Sequence, residues 1–396
     1  MNSIIKLKSG REKSLLHRHP WIFSGAIASV SDRLTPGQTV EIVTDNEEFI
    51  ARGAFSPRSQ IAVRVWSFTE NEQIDQNFFG NRIQAALKRR ENYLKTWPTN
   101  AYRIINAESD GLPGLIVDFY NDFLVIQSLS VGAEFWKQTI VNQLMDLIPN
   151  RGIYERSDLD VREKEGLEQM KGILTGEKPP ELIEIDENGF KFWVDIINGQ
   201  KTGFYLDQRE NRMLIKNHSE GAAVLNCFAY SGGFGLYAWR GGAAKVTNIE
   251  LSAGAIILNQ KNSDNNGIRA DLMEYLQDDV FKVLRRFRNE ERKFDLIILD
   301  PPKFAESRSQ LIHSLRGYKD INWLAFRLLN PGGILYTFSC SGLVDSALFQ
   351  KVVSDGALDA GRQAYIVQRM GQAGDHPVSL NFPEGSYLKG LVCTVD

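Results

Sequence analysis

The sequence predicts an α/β protein with a small N-terminal β-barrel, a central α/β subdomain and a C-terminal domain built on a mainly parallel sheet. Residues 4–67 show short alternating strands broken by turns, and residues 71–95 carry apolar side chains at helical spacing. From about residue 222 onward, strand and helix patterns alternate, which is typical of parallel strands joined by crossover helices. These changes of pattern predict domains at 1–80, 81–187 and 188–396.

The composition is that of a soluble globular protein. A chain of 396 residues with 43% hydrophobic and 24% charged residues predicts two or three domains. No apolar run reaches the ~20 residues that span a bilayer, and the N-terminus has no signal-peptide pattern. Cys227, Cys340 and Cys393 are widely spaced and form no CxxC pair, and the five histidines form no metal motif. We therefore expect a cytoplasmic protein with no membrane segment and no metal.

The charge is unevenly distributed. The net charge is −3, which is not the global signature of a nucleic-acid-binding protein. Residues 1–90, however, hold 13 Lys and Arg against 9 Asp and Glu. A basic N-terminal part could bind a phosphate backbone locally, although a solvated basic face would look the same. The candidate RNA contacts here are Lys13, Arg18, His19 and Trp21.

Ligands of parallel α/β sheets bind beyond the carboxyl ends of the strands. The first such end is the glycine-rich stretch 229–235, "AYSGGFG", which allows close backbone approach to a ligand but matches no Walker motif. A tight turn explains it equally well on its own. The second is Glu250, 18 residues after Gly232, which could accept hydrogen bonds from the ribose of NAD or of S-adenosylmethionine (SAM).

Two further strand ends carry carboxylates. Asp278 and Asp279 precede a helix, where Asp serves as an N-cap, and could also accept from an adenine amino group. Asp300 opens "DPPKF", in which two prolines fix the backbone at the expected pocket mouth. A nucleobase edge fits that geometry, and Phe304 could stack on the base.

These stretches carry a resemblance to known families. "VLNCFAYSGGFG", "NIELS", "DDVF", "FDLIILDPPKF" and "NPGGILYTFSCS" resemble, in order, the motifs of class I SAM-dependent methyltransferases. "LKSGREKSLLHRHPWIFSGAI" resembles a PUA domain, a small RNA-binding barrel, and the whole chain is similar to bacterial enzymes that make 5-methylcytosine in 23S rRNA. The resemblance implies a PUA barrel, a central subdomain and a Rossmann-like methyltransferase domain. It also implies SAM as cofactor and 23S rRNA, free or in an assembling subunit, as partner, and leaves a homodimer open.

The resemblance also assigns site residues, including some in "NGQKTGFYLDQRENR" at 198–212. Asp207 and Arg209 would lie near the cofactor or the RNA target, although structural ion pairs would explain them too. The implied cofactor residues are Gln200, Thr202, Phe204, Tyr205, Asp207, Phe228, Ala229, Tyr230, Ser231, Gly232, Glu250, Leu251, Asp278, Asp279, Val280 and Asp300. The implied RNA contacts are Lys13, Arg18, His19, Trp21, Arg209 and Phe304.

The resemblance implies a catalytic nucleophile in the Ser-Cys-Ser sequence at 339–341. In RNA cytosine-5 methyltransferases a thiolate at this place adds to C6 of the base and activates C5, which assigns the nucleophile to Cys340. Asp300 would hold the N3 edge. Many of these enzymes carry a second cysteine directly after Pro-Pro, where this chain has Lys303. The base that removes the C5 proton is then Lys303 or a water.

Three other readings stay open. The Asp-Pro-Pro-aromatic pattern also resembles methyltransferases that modify the exocyclic amino group of adenine (N6) or guanine (N2) without a nucleophile, in which case Cys340 is structural. A nicotinamide oxidoreductase would use the glycine loop and Glu250 but leave "DPPKF" unexplained. A non-catalytic ribosome-assembly factor would bind RNA without turnover.

Overall fold

The chain forms two compact units in the computed structural model, which describes residues 3–31, 33–304 and 307–396. The first unit contains residues up to Gly189 together with Val194–Leu206 and Gly374–Gly385. The second contains Phe190–Trp193, Asp207–Ala373 and Ser386–Asp396. Each unit therefore includes pieces that are distant in sequence.

The first unit opens with a six-stranded sheet. Val40 and Ile42 alternate with the partly exposed Glu41 and point into one small apolar core, as the period of two in the sequence predicts, and Val63 belongs to the same core. The strand order is β2-β6-β5-β4-β1-β3, with β1 parallel to β4 and the other pairs antiparallel. The elements are β1 (Ile4–Leu7), α1 (Lys13–Leu16), β2 (Trp21–Phe23), β3 (Ile27–Val30), β4 (Thr39–Val43), β5 (Phe49–Phe55) and β6 (Ile61–Ser67).

A five-stranded sheet covered by helices completes the first unit. The first helix, α2, begins at an Asp75 cap that accepts the Phe78 N–H at 3.0 Å. It ends at Thr96, two residues before the helix-breaking Pro98. The strand order is β11-β10-β9-β8-β7. The elements are α2 (Gln76–Thr96), β7 (Ala101–Asn106), β8 (Leu115–Tyr120), β9 (Phe123–Ser128), α3 (Val131–Phe135), α4 (Lys137–Leu147), β10 (Gly152–Ser157), α5 (Val161–Glu165), β11 (Met170–Gly176) and β12 (Ile183–Glu187), followed along the chain by β13 (Phe190–Val194).

A chain of buried ionic groups crosses the first unit. Arg90, 1% exposed in its side chain, donates to the Asp110 carboxylate at 2.8 Å. Arg103 donates to both oxygens of Asp118, at 2.8 and 2.9 Å. The late segment Gly374–Gly385 joins this network, because Asp375 Oδ2 accepts the Arg103 backbone N–H at 3.0 Å. The network ties together parts of the sequence that are almost 300 residues apart.

The second unit is a doubly wound sheet with one antiparallel strand. The strand order is β16-β15-β14-β17-β18-β20-β19, and the first five strands are parallel to one another. The antiparallel strand, β20, lies between β18 and β19. The elements are α6 (Arg209–Lys216), β14 (Ala223–Cys227), α7 (Gly233–Arg240), β15 (Lys245–Glu250), α8 (Ala253–Asn265), β16 (Met273–Gln277), α9 (Val280–Asn289), β17 (Phe294–Leu299), α10 (Leu311–Leu328), β18 (Leu329–Ser339), α11 (Ser346–Asp359), β19 (Ala364–Met370) and β20 (Lys389–Val395).

One large apolar core unites the sheet of the second unit with α9, α10 and α11. The side chains of Leu225 in β14, Ile297 in β17 and Leu335 in β18 are fully buried in this core. Near-continuous apolar strands of this kind are typical of a parallel sheet that is covered by helices. The strand order reverses between β14 and β17, and ligands of such sheets bind at this switch point.

The buried ion pair predicts a large stability effect for Asp110→Asn. The substitution leaves the buried Arg90 guanidinium without its carboxylate, and we expect the free energy of unfolding of the first unit to fall by about 3 kcal/mol. Urea denaturation of wild type and Asp110→Asn measures this difference in the free energy of unfolding. The matched control is Glu177→Gln, which breaks the exposed pair with Arg151 and should leave the midpoint unchanged.

The pH dependence of this effect follows from the pKa of Asp110. Burial raises that pKa, but the charge and hydrogen bonds of Arg90, with Asn106 and Arg89, outweigh burial and bring it below its usual 3.8. A lowered carboxyl pKa stabilises the fold above the unfolded pKa, and the stabilisation is lost as pH falls through the folded pKa. The difference between wild type and Asp110→Asn should therefore be full at pH 7 and shrink below about pH 4. A constant difference from pH 7 to pH 3 would contradict the ion-pair explanation.

Candidate active site

Five predicted functional positions follow five neighbouring parallel strands of the second unit. Phe228 directly follows β14 and leads into the glycine loop, and Glu250 is the last residue of β15. Asp278, Asp300 and Cys340 are the residues that directly follow β16, β17 and β18. Because these strands are parallel and adjacent, all five positions lie along one edge of the sheet. The sequence prediction that they converge is consistent with this topology.

The glycine loop has an unusual backbone. Phe228, Tyr230 and Gly232 have φ values of 58°, 46° and 88°, all in the left-handed region. Non-glycine residues in this region are held by their surroundings and are frequent at functional sites. At Gly232 a Cβ atom would lie 2.1 Å from Asn259 Oδ1, so a side chain is excluded as well. The loop therefore keeps its backbone close to the sheet edge and leads into α7.

Glu250 is fixed by this loop and by the turn that follows it. Its two carboxylate oxygens accept the N–H groups of Tyr230 and Ser252, each at 2.9 Å. A carboxylate offers about four acceptor positions, so two remain. The group can therefore accept hydrogen bonds from a ribose diol, which fits the nucleoside part of SAM. Leu251 follows with a side chain that is 66% exposed.

The two aspartates after β16 have different tasks. Asp279 caps α9 by accepting the Lys282 N–H at 3.0 Å, as its sequence position predicts. Asp278 accepts the Asp279 N–H at 2.8 Å, lies 3.9 Å from the Arg286 guanidinium through its other oxygen, and has a side chain that is 40% exposed. The carboxylate of Asp278 is therefore accessible to a donor such as an adenine amino group. Val280 is buried in the core.

Asp300 is oriented by a residue that the sequence analysis missed. Gln208 Nε2 donates to Asp300 Oδ1 at 3.1 Å, and Asn211 Nδ2 donates to Gln208 Oε1 at 2.6 Å. The second bond holds the Gln208 amide group so that its nitrogen faces Asp300. Gln208 lies inside "NGQKTGFYLDQRENR", but nothing in its spacing relates it to Asp300, 92 positions away.

The residues after Asp300 differ in their surroundings. Lys303 is exposed at the edge of the unit. The Phe304 ring packs against Tyr318, with centroids 4.7 Å apart, and is 6.1 Å from the Phe281 ring. Both contacts are with the protein's own helices. The predicted stacking of Phe304 on a target base therefore competes with an internal packing role.

Cys340 is the most accessible of the three cysteines. Cys227 and Cys393 are buried, and burial raises the pKa of both thiols, that of Cys393 to about 12. Cys340 is partly exposed directly after β18. Hydrogen bonds fix the two serines that flank it. Ser339 Oγ donates to the Tyr318 hydroxyl at 3.0 Å, and Ser341 O accepts from Lys389 Nζ at 2.6 Å.

Four of the predicted cofactor residues belong to the first unit. Thr202 Oγ1 donates to Asp118 at 2.7 Å and is 2.9 Å from the Tyr120 hydroxyl. Phe204 is buried and donates its N–H to the same hydroxyl at 3.2 Å. Tyr205 and Gln200 form a hydrogen bond of 2.5 Å. These residues have structural bonds within the first unit, and their contact with a cofactor remains a prediction.

Asp207 and Arg209 lie in the second unit, and both are buried. Asp207 Oδ2 accepts from the Tyr387 hydroxyl at 2.6 Å. Arg209 is 0% exposed, so its guanidinium lies inside the folded unit. This burial favours the structural explanation for Arg209, and its contact with RNA remains a prediction. A buried arginine cannot be told from an exposed one by its sequence neighbours alone.

The predicted RNA contacts of the N-terminal sheet fall into two pairs. Lys13 and Arg18 are exposed, and Arg18 lies over the Phe68 ring at 5.0 Å from its centroid. Trp21 donates to Glu108 at 2.8 Å and packs on Phe382 at 4.9 Å between centroids. His19 Nε2 is 3.2 Å from a Glu384 oxygen. The aromatic pair, His19 and Trp21, therefore has partners within the first unit. The cationic pair, Lys13 and Arg18, is exposed to solvent.

Across the described residues, 3–31, 33–304 and 307–396, no helix is long and apolar enough to cross a membrane. The same residues contain no group of three or more His, Cys, Asp or Glu arranged to hold a metal ion.

Two protein-family models match separate parts of the chain. Residues 159–379 match the family described as S-adenosylmethionine-dependent methyltransferase, and residues 5–68 match the PUA-like domain. Among solved structures, a candidate SAM-dependent methyltransferase from Streptococcus mutans has a TM-score of 0.86 and 23% identity over 100% of both chains. At that identity the likeness shows the fold, and it confirms the predicted combination of a PUA-like domain with a Rossmann-like α/β domain.

Curated relatives match the chain over nearly its full length. Ribosomal RNA large subunit methyltransferase I of Aeromonas salmonicida (strain A449) is 52% identical over 99% of both chains. The protein of the same name from Shewanella denitrificans is 53% identical over 99% of both chains. The predicted cofactor, SAM, is confirmed by the family match, and the glycine loop and Glu250 fit it. The chain belongs to the SAM-dependent methyltransferases and, within them, to the ribosomal RNA large subunit methyltransferase I family.

Proposed function

We propose that the protein transfers the methyl group of SAM to C5 of a cytosine in 23S rRNA, with Cys340 as the nucleophile. The observation that carries the proposal is the position of Cys340. It is the accessible thiol, and it lies directly after a strand paired with β17, which leads into Asp300. Burial raises the pKa of Tyr318 to about 12, and the charges of Cys340 and Asp300 add to this. The thiol and the carboxylate therefore both lie within electrostatic range of the Tyr318 hydroxyl group.

This pair of groups suits the chemistry of a cytosine ring. The Cys340 thiolate bonds to C6, and the electrons of the C5–C6 double bond make C5 nucleophilic toward the methyl carbon. Asp300 holds the N3 edge, where a proton balances the charge that addition places on the ring. When bound, SAM supplies the methyl group and its sulfur keeps the electron pair of the broken bond. Loss of the C5 proton to a base then rebuilds the double bond, breaks the C6–S bond and returns the thiolate to Cys340.

RNA as the substrate is supported by the relatives and by the N-terminal unit. The curated relatives are named for methylation of large-subunit ribosomal RNA. A PUA-like domain with exposed Lys13 and Arg18 supplies cations that suit phosphate contacts. A base within RNA must be unstacked before it can reach a group at the edge of the sheet.

The alternative reaction, methylation of an exocyclic amino group, needs an aromatic residue that stacks on the target base. The residue in that position is Phe304, and its ring packs on Tyr318 and lies near Phe281 instead. That packing favours attack at C5 over amino methylation, although both reactions would use Asp300.

Trapping with 5-fluorocytidine tests the nucleophile. Fluorine at C5 blocks the final proton removal, so wild-type protein with SAM and substituted 23S rRNA should form a covalent protein–RNA band. Cys340→Ala should form none. Cys393→Ala, which removes a buried thiol, is the matched control and should keep the band. Methyl transfer into ordinary rRNA by both wild type and Cys340→Ala, with no band, would overturn the proposal in favour of amino methylation.

We propose that the C5 proton is removed by Lys303 or by a water. Lys303→Ala should slow product release by roughly 100-fold, the usual effect of a lost general base, so that an adduct with ordinary cytosine becomes visible on a denaturing gel. Lys282→Ala removes an exposed lysine of α9 and serves as control. Unchanged release in Lys303→Ala would remove Lys303 from the mechanism.

The cationic pair of the N-terminal sheet predicts salt-dependent RNA binding. Lys13→Ala/Arg18→Ala should weaken binding and reduce the slope of log K against log salt by roughly 1.4 to 1.8, the value for two lost phosphate contacts. Arg151→Ala/Arg269→Ala removes the same charge from two exposed pairs and should leave the slope unchanged. A slope that is the same in all three proteins would reject this surface.

A further inference from the structure

Lys389 is buried beside the Ser-Cys-Ser turn. It is the first residue of β20 and pairs with Ser339, the last residue of β18. Its relative exposure is 8%, and lysine is rarely so buried unless it is paired. Its Nζ donates to Ser341 O at 2.6 Å. Among the described residues, no carboxylate lies within 4.0 Å of this ammonium group, so an ordinary ion pair does not explain its burial.

The groups that face Lys389 come from several elements. Burial lowers the pKa of Lys389, while the charges of Cys340 and Asp345 raise it. Asp345 caps α11 by accepting the Leu348 N–H at 2.8 Å. Tyr318 of α10 accepts a hydrogen bond from Ser339 of the same turn, and the charge of Asp300, after β17, acts on that tyrosine. Cys340 is therefore a nearby group that a buried ammonium would keep in its anionic form.

We propose that Lys389 is a positioning residue for the nucleophile: its ammonium charge favours the thiolate of Cys340, and its hydrogen bond to Ser341 O fixes the turn. The inference rests on the proposed function, in which Cys340 attacks the base. A thiol is nucleophilic only as the thiolate, and a free cysteine with a pKa near 8.5 is only a few per cent thiolate at neutral pH. A neighbouring lysine lowers that pKa.

A purely structural role would also place a donor against Ser341 O, so the two roles need to be separated. Lys389→Gln keeps a donor and removes the charge, whereas Lys389→Arg keeps the charge. Lys351→Gln, an exposed lysine of α11 paired with Asp355, is the matched control for loss of one charge. If Lys389→Gln fails to fold, Lys389→Met provides a second uncharged side chain of similar length.

The experiment is alkylation of Cys340 by iodoacetamide as a function of pH, followed by peptide mass spectrometry, in the full-length protein without RNA. We expect the midpoint to move up by about one pH unit in Lys389→Gln, with about tenfold slower alkylation at pH 7. Lys389→Arg and Lys351→Gln should resemble wild type. An unchanged midpoint in Lys389→Gln, or one equally shifted in Lys389→Arg, overturns the inference.

The 5-fluorocytidine adduct separates this inference from the proposed function. If wild type forms the adduct and Lys389→Gln forms it slowly at pH 7 but at the wild-type rate near pH 9, both stand. If wild type forms the adduct and the alkylation midpoint of Lys389→Gln is unshifted, the proposed function stands and the role of Lys389 fails. If wild type forms no adduct, the nucleophile assignment fails, and with it the role of Lys389 in the reaction.

Discussion

The order of five parallel strands decides which chemical groups become neighbours in this protein. Each functional position is at or just after a strand end, and positions from widely separated parts of the sequence lie along one edge because β16, β15, β14, β17 and β18 are side by side. The groups that suit a nucleoside, Asp278, Glu250 and the glycine loop, follow β16, β15 and β14. Asp300 and Cys340 follow β17 and β18. The reversal of strand order between β14 and β17 thus separates the groups suited to the methyl donor from the two groups that we propose act on the base.

Along this edge, main-chain amides hold the acidic groups in place. Glu250 receives two N–H groups, one from a loop residue whose φ of 46° a tyrosine seldom adopts. Asp279 is used as a helix cap, which leaves its neighbour Asp278 accessible. Similar carboxylates therefore take different roles according to which donors each one meets, and at Glu250 the energy of the unusual backbone is offset by its two hydrogen bonds.

Much of this arrangement could be predicted from the sequence, because strand ends and the turn residues after them have local patterns. The alternation after residue 222 and the motif order predicted the fold and the positions of Glu250, Asp300 and Cys340 at the sheet edge. Burial that depends on distant residues could not be predicted. The sequence left open whether Arg209 contacts the RNA target or forms a structural ion pair, and it did not indicate that Phe382 packs on Trp21. The position of Lys389 beside the Ser-Cys-Ser turn depends on its pairing with Ser339, fifty positions earlier. No local sequence pattern predicts that pairing.

The first unit takes its last segment, Gly374–Gly385, from near the end of the chain. Asp375 in that segment receives the Arg103 N–H, and Phe382 covers Trp21. During synthesis the chain emerges from its N-terminus at about 5–20 residues per second. The ribosome that makes this protein must therefore translate residues 207–373 before the first unit can be completed. The N-terminal sheet must wait, with Trp21 uncovered, while the sequence of the second unit is translated.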